Sequence, residues 1–308
     1  MQNYEDQIKN IASHIPVLQG YWEAVYIDKG YSPDQKLMVR RANGDQVLLK
    51  VFPLQEYVWK EKEYQTLQHM AAHEVRCSRP IAIGQIPELA LGYMIVSYLE
   101  GEDGEVVVPK LPNEVQVQIG YQAGQELLKI TQMKAPASIP SWYERKLRKH
   151  RRYVDEYRSC GHRMRSDDNV LAFIDAHIHL MIDRPNRFQH DDYHLGNLIV
   201  RDQQLQGVID FSAFDWGDPV HEFVKIGIFC SETSVPFSIG QIQGYHDGEE
   251  PDELFWKLYA LYLAMTLISS VVWVLKVKPE ELDMMMDKIN RVLENHHDFD
   301  FVKPNWYV

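Results

Sequence analysis

HDDYHLGNLIVRDQQLQGVIDF, running from His190 to Phe211, is the stretch that decides the fold. Asp192 stands just ahead of a tight turn containing Gly196, Asn197 follows five residues later and opens the apolar run LIV, and Asp210 closes a second apolar run, GVID. The pattern predicts a loop followed by a β-hairpin. Two carboxylates and an amide oxygen are hard donors suited to magnesium, and a carboxylate also accepts a hydroxyl proton. A loose, metaphosphate-like transition state asks for these groups and for cations around the phosphates. The three residues together therefore point to phosphoryl transfer. Taken singly, each is also what a turn uses to satisfy backbone donors; the ordered set between apolar strands carries the chemical reading.

His190-x-Asp192-x-x-x-x-Asn197, with Asp210 thirteen residues beyond, resembles the catalytic core of the aminoglycoside phosphotransferase family of small-molecule kinases. The family's usual form is His-Gly-Asp-x-His-x-x-Asn. Here Asp191 replaces the usual Gly while His194 and Gly196 are kept, which leaves the base and metal positions intact and bears on the backbone alone. FSAFDWGDPVHEF, residues 211–223, is similar to the family's segment ending in Gly-Asp-Pro. The resemblance implies an α+β, protein-kinase-like two-lobed fold. Residues 1–102 would form a nucleotide-binding lobe, an antiparallel five-stranded sheet plus a helix; residues 103–308 would form a mostly helical catalytic and substrate-binding lobe. Asp192 would be the catalytic base, Asn197 and Asp210 the Mg2+ ligands, and ATP the donor.

The N-terminal half supplies what such a fold needs. Ile8, Ile11 and Ala12 at helical spacing predict a short amphipathic helix over 4–15, ended near Pro16. YWEAVYIDKG, KLMVRRA and DQVLLKVF read as three strands, the last two joined by Asn43-Gly44, a hairpin signal because both residues tolerate positive φ. DKGYSPDQ between the first two is an ordinary turn or a lid over the triphosphate with Ser32 at its tip; the family's 3′-acting enzymes carry a similar Gly-x-Ser-Pro. Lys50 stands inside an apolar strand, where a lysine is costly unless it meets an anion. Of Glu61 and Glu63 in the following helix, Glu63 shares a face with Leu67 and is the expected partner, with Glu61 the alternative. In a kinase fold this lysine would hold the α- and β-phosphates. PIAIGQI and ALGYMIVSYL complete the five strands. By resemblance, the backbone of Ser97 and Leu99 would contact adenine, and EGEDGEVVVPKLP would connect the lobes.

Beyond residue 112 the periodicity is helical. Val117, Tyr121, Gly124, Leu127, Leu128 and Thr131 form one stripe. SWYERKLRKHRRYVDEYRSC is strongly basic, but without interleaved stacking aromatics it reads as a solvated helix face rather than a nucleic-acid surface. DDNVLAFIDAHIHLMID predicts a helix with Asp167 or Asp168 as N-cap. His177 and His179 in it lie on different faces, which suits packing better than metal ligation. HEFVKIGIFC and Leu258–Leu275 predict helices separated by SETSVPFSIGQIQGYHDGEEPDE; its acidic cluster from Asp247 to Glu253 would cap a helix or attract amines. A last amphipathic helix carries Met284, Met285 and Met286 as core filling. Leu258–Leu275 is 18 residues without a charge, a membrane-span length, but its two Tyr, a Thr and a Ser pair favour a buried helix.

Forty-four acidic against 32 basic residues give a net charge of −12, which argues against nucleic acid and agrees with a cationic acceptor. Taken alone, the charge is better accounted for by ordinary solubility. Cys77, Cys160 and Cys230 are widely spaced and fit a reducing cytosol, and MQNYEDQIKNIASHIP has no apolar secretory core. The expected activity is ATP-dependent phosphorylation of a hydroxyl on a small molecule, an aminoglycoside or similar amine-bearing polyol. A choline- or sugar-like acceptor and a catalytically silent nucleotide-binding protein are the alternatives. Oligomeric state and a choice between ATP and GTP leave no mark in the sequence.

Overall fold

A computed structural model describes residues 2–20, 23–28, 34–41 and 43–308. The chain forms two compact units: Met1–Gly101 with Gln206–Ser212, and Glu102–Leu205 with Ala213–Val308.

In the smaller unit, five antiparallel strands run in the order β1-β2-β3-β5-β4. They are β1 (Glu23–Tyr26), β2 (Gln35–Arg40), β3 (Gln46–Pro53), β4 (Pro80–Ile86) and β5 (Leu91–Ser97). The pleat of β3 sends Val47, Leu49 and Val51 to one face, where they join Leu37, Val39 and Ile95. Helix α1 (Gln2–Ser13) closes that face with Ile8, Ile11 and Ala12, and Ile15 and Leu18 follow from the next turn. Lys50 therefore points to the opposite face, toward α2 (Tyr57–Ala72), which buries Lys60, Glu63, Leu67 and Met70. The β2–β3 connection is longer than a two-residue hairpin. Arg41 N–H donates to Asp45 O at 2.9 Å and Gly44 N–H to Arg41 O at 2.9 Å, so the strands close at Arg41 and Asp45. Gly44 takes positive φ, 89°, which glycine adopts without strain. The returning segment 206–212 is tied into this unit by Val208 N–H on Arg76 O at 2.7 Å.

The larger unit is mostly helical. It opens with β6 (Glu102–Asp103) and a helical turn, α3 (Gly104–Val107), where the sequence reads as connector. Next come α4 (Asn113–Ile130), α5 (Trp142–Ser159) and α6 (Asp167–His177). Strand β7 (Arg187–Gln189) and the pair β8 (Leu198–Arg201) and β9 (Gln204–Val208) flank the loop 190–197, and β10 (Asp215–Gly217) pairs with β7. Helices α7 (Ser231–Thr233), α8 (Val235–Tyr245), α9 (Glu253–Val277) and α10 (Leu282–Asn295) complete it. Among the described residues α9 alone is long and apolar enough to cross a membrane, but 72% of its apolar window is buried inside the protein. Helices α5, α6 and α10 pack against it.

Several elements differ from expectation for identifiable reasons. The buried face of α4 is Gln116, Ile119, Gly120, Ala123, Gly124, Leu127 and Ile130, while Val117, Tyr121 and Leu128 are half-buried. The face rotates because the glycines, not the larger apolar residues, meet the neighbouring helix. A Cβ on Gly124 would stand 2.2 Å from Gln241 O, and one on Gly244 2.0 Å from Tyr121 O, so α4 and α8 cross backbone to backbone. Helix α8 lies inside the stretch expected to be a separator. Ser166, at φ 56°, precedes α6 as its N-cap residue, and Asp167 and Asp168 occupy the first turn. Residues 219–230 are a 3₁₀ turn followed by a π-helical turn, Ile226–Cys230, rather than an α-helix. Only Met285 of the three methionines is buried. In the acidic cluster Asp252 caps α9, accepting from Phe255 N–H at 2.7 Å.

Candidate active site

In the smaller unit, Lys50 Nζ lies 2.6 Å from Glu63 Oε1. Lys60 Nζ is 3.6 Å from the other oxygen of Glu63 and bonds Asp34, so two lysines and two carboxylates alternate. Burial would lower the Lys50 pKa, but Glu63 and then Asp210 outweigh it and raise it. Glu61 is half-buried and is not the partner. Lys36 faces Lys50 directly across β2–β3. Burial lowers its pKa, with Asp210 opposing. Asp210, at φ 64°, lies in the returning segment and accepts from Ser212 Oγ at 2.6 Å. Ser97 donates its N–H to Arg79 O at 2.8 Å, and its hydroxyl accepts Arg79 N–H at 2.8 Å. Ser32 falls outside the described residues.

In the larger unit, the loop from His190 is held from below. Tyr193 is fully buried and donates its hydroxyl to Ala123 O at 2.8 Å. His190 Nδ1 accepts Asp192 N–H at 3.3 Å, and Glu222 Oε1 accepts Asp191 N–H at 3.2 Å. Asp191 takes φ 62°, the left-handed conformation a glycine would take there without strain, so the turn is preserved. Asn197 Nδ2 donates to both Asp192 O and Asp192 Oδ2 at 2.9 Å, which orients the amide and turns Oδ1 the other way. His194 Nδ1 accepts Gly196 N–H at 3.1 Å, so its proton sits on Nε2, 3.5 Å from Asp192 Oδ2. Asp192 Oδ1 accepts from Lys225 Nζ at 2.8 Å. Burial would raise the Asp192 carboxyl, but His194 and then Lys225 outweigh it and hold it far below the usual range.

Sequence reasoning missed the residues beneath this loop. Asp218, of the Gly-Asp-Pro segment, is fully buried. Arg184 grips it in a fork at 2.7 and 3.1 Å, and the Tyr262 hydroxyl donates to it at 2.8 Å. The basic helix α5 is not solvated all round: Trp142, Lys146, His150 and Tyr157 are buried along one face. Lys146 Nζ lies 2.7 Å from His221 Nε2, and burial, reinforced by Lys149, pushes its pKa down to about 7. Their spacing at roughly every fourth residue was the available signal. Among the described residues no cluster of three His, Cys, Asp or Glu could hold a metal ion.

Residues 23–256 match the sequence model of the phosphotransferase enzyme family. No match to the chain is found among curated proteins. Among solved structures, the chain is similar to aminoglycoside 2'-phosphotransferase-IIIa in its GDP complex, with a TM-score of 0.70 and 16% identity over 94% of this chain and 97% of that one. ADP-bound aminoglycoside phosphotransferase APH(2'')-Ib gives a TM-score of 0.65 and 15% identity over 97% and 99%. A thermostable mutant of aminoglycoside phosphotransferase APH(4)-Ia, in ternary complex with ADP and hygromycin B, gives 0.63 and 15% over 89% and 94%. At these identities the likeness shows the fold: two-lobed and kinase-like, with a five-stranded antiparallel sheet in the N-terminal part and a mostly helical C-terminal part.

Proposed function

The chain belongs to the phosphotransferase enzyme family, and we propose that it transfers the γ-phosphoryl group of ATP to a hydroxyl of a small amine-bearing polyol, an aminoglycoside in the first instance. That the chain is a small-molecule kinase follows from the family. One observation carries the assignment of the base. The Asp192 side chain keeps 37% of its surface exposed on a loop whose neighbours Tyr193, Leu195 and Asn197 are buried, so the carboxylate is the group presented to an acceptor.

In this reading the acceptor oxygen forms a bond to the γ-phosphorus as the bond from that phosphorus to the β–γ bridging oxygen breaks. ADP leaves with the electron pair, and the hydroxyl proton passes to Asp192. Lys50, held by Glu63, would take the α- and β-phosphates. The backbone of Ser97 and Leu99 would meet adenine. The donor set suits Mg2+: the Asp210 carboxylate and the Asn197 amide oxygen are both hard donors, and the two bonds made by Asn197 Nδ2 turn that oxygen away from Asp192. Bound magnesium would neutralise charge on the phosphates. An aminoglycoside is favoured over a metabolite by the aminoglycoside enzymes among structural neighbours.

The test is magnesium-dependent transfer of labelled phosphate from ATP across a panel of aminoglycosides, macrolides and amino alcohols. Labelled aminoglycoside is the expected product. Label confined to an amino alcohol would move the acceptor to a metabolite, and ATP binding with no labelled acceptor would favour the silent binder.

A further inference from the structure

Lys225 is the one cation bonded directly to the proposed base among the described residues, and neither its spacing nor its surroundings in the sequence single it out. It lies 33 residues beyond Asp192, immediately before the π-helical turn Ile226–Cys230. Such turns recur at functional sites because the extra residue re-aims a side chain. Its ammonium donates to Asp192 Oδ1 at 2.8 Å, while Asp192 Oδ2 is taken by Asn197 at 2.9 Å and faces His194 at 3.5 Å. The Lys225 side chain is 23% exposed, and its ammonium lies over the Phe229 ring, 5.5 Å from the centroid.

Two considerations decide what this contact is for. A partly exposed ion pair contributes little to stability, typically below about 1 kcal/mol. An ammonium on a carboxylate also makes that carboxylate a weaker base, so the pair serves neither stability nor proton affinity. A loose transition state, however, develops charge mainly on the transferring phosphoryl oxygens and little on the attacking hydroxyl. An ammonium has three N–H donors, and one is spent on Asp192. We propose that Lys225 is a further catalytic residue, which fixes the Asp192 carboxylate with one N–H and donates another to the phosphoryl group as it passes to the acceptor. The inference rests on the phosphoryl-transfer reading above.

The test compares Lys225→Ala, Lys225→Arg and Asp192→Asn with the parent in the full-length chain. Phosphate transfer from magnesium ATP is measured to hygromycin B and, as a second acceptor, to water. Lys225→Ala is expected to lose about 10²–10³-fold in kcat, the scale of removing one charge-stabilising donor, with KM for ATP within threefold. Lys225→Arg should recover at least part of that loss, and ethylammonium added to Lys225→Ala should restore turnover saturably, which a purely structural residue would not allow. A kcat within threefold of the parent in Lys225→Ala, while Asp192→Asn is inactive, would overturn the role of Lys225 alone. Equal activity of Asp192→Asn and parent would instead overturn the phosphoryl-transfer reading. If the parent transfers phosphate to neither acceptor, the phosphoryl-transfer reading and the role of Lys225 fall together.

Discussion

Lys50 and Glu63 meet at 2.6 Å from opposite sides of one sheet-and-helix layer, Lys50 on β3 with its side chain 11% exposed and Glu63 on α2 with its side chain 3% exposed. A pair this buried is costly to split, since removing one partner strands the other charge at about 3–5 kcal/mol. Glu63→Ala is therefore expected to lower the urea midpoint as well as nucleotide affinity. Lys50→Ala should raise the KM for ATP about tenfold or more, equivalent to about 1.4 kcal/mol, with the acceptor KM nearly unchanged. An acceptor KM that moves as far as that of ATP would remove Lys50 from the phosphate side.

Asp192 and Asp210 should separate kinetically. A base acts mainly in the transition state, so Asp192→Asn should cost about 10²–10⁴ in kcat while ATP affinity, read by equilibrium titration, stays near the parent's. Asp210→Asn should shift the magnesium concentration needed for half-maximal rate upward. Identical magnesium curves for Asp210→Asn and parent would count against its ligand role.

Which features were legible follows from how far apart the cooperating residues are in the chain. Asp192 and Asn197 were readable because a loop fixes their geometry within five residues. Glu63 was readable because helical spacing sets it on the face of Leu67. Lys225 was not, because only the path of residues 219–230 brings it back to Asp192, and 3₁₀ and π turns leave no 3.6-residue period to read. Helix α8 was hidden by its own packing device: Gly240 and Gly244 each weaken a helix by about 1 kcal/mol, so the stretch reads as loop until α4 supplies the surface they fit. Lys146 and His150 were lost among the eight basic residues of α5, although Trp142 and Tyr157 on the same face mark it as buried.

The α4–α8 crossing is expected to be intolerant of a single methyl. A Cβ at Gly240 would stand 2.1 Å from Val117 O, and at Gly244 2.0 Å from Tyr121 O, and backbone atoms cannot rotate aside as a side-chain tip can. Gly244→Ala should lower the unfolding free energy by about 3 kcal/mol, the upper part of the usual overpacking range, measured by urea denaturation. Gly161→Ala is the control: it has open space around its Cβ position, and its φ of 79° carries only the local backbone cost. If Gly244→Ala costs no more than Gly161→Ala, the close crossing is wrong.

Glu222 predicts the pH dependence of the loop's support. It is 1% exposed and accepts from Asp191 N–H, and burial, reinforced by the nearby Asp191 carboxylate, pushes its pKa up to about 8 from an ordinary 4.5. Between those values the folded protein holds the Glu222 proton and the unfolded chain does not. Stability therefore falls as pH rises from about 4.5 to 8, since it rises with pH only where the unfolded state binds more protons. Glu222→Gln keeps a hydrogen-bonding side chain without the titration and should flatten that part of the profile. The measurement is the urea midpoint of parent and variant from pH 5 to 9. The parent should lose stability relative to Glu222→Gln as pH rises toward 8, with the difference levelling above it; parallel profiles would show that Glu222 ionises in the folded state as readily as in the unfolded chain.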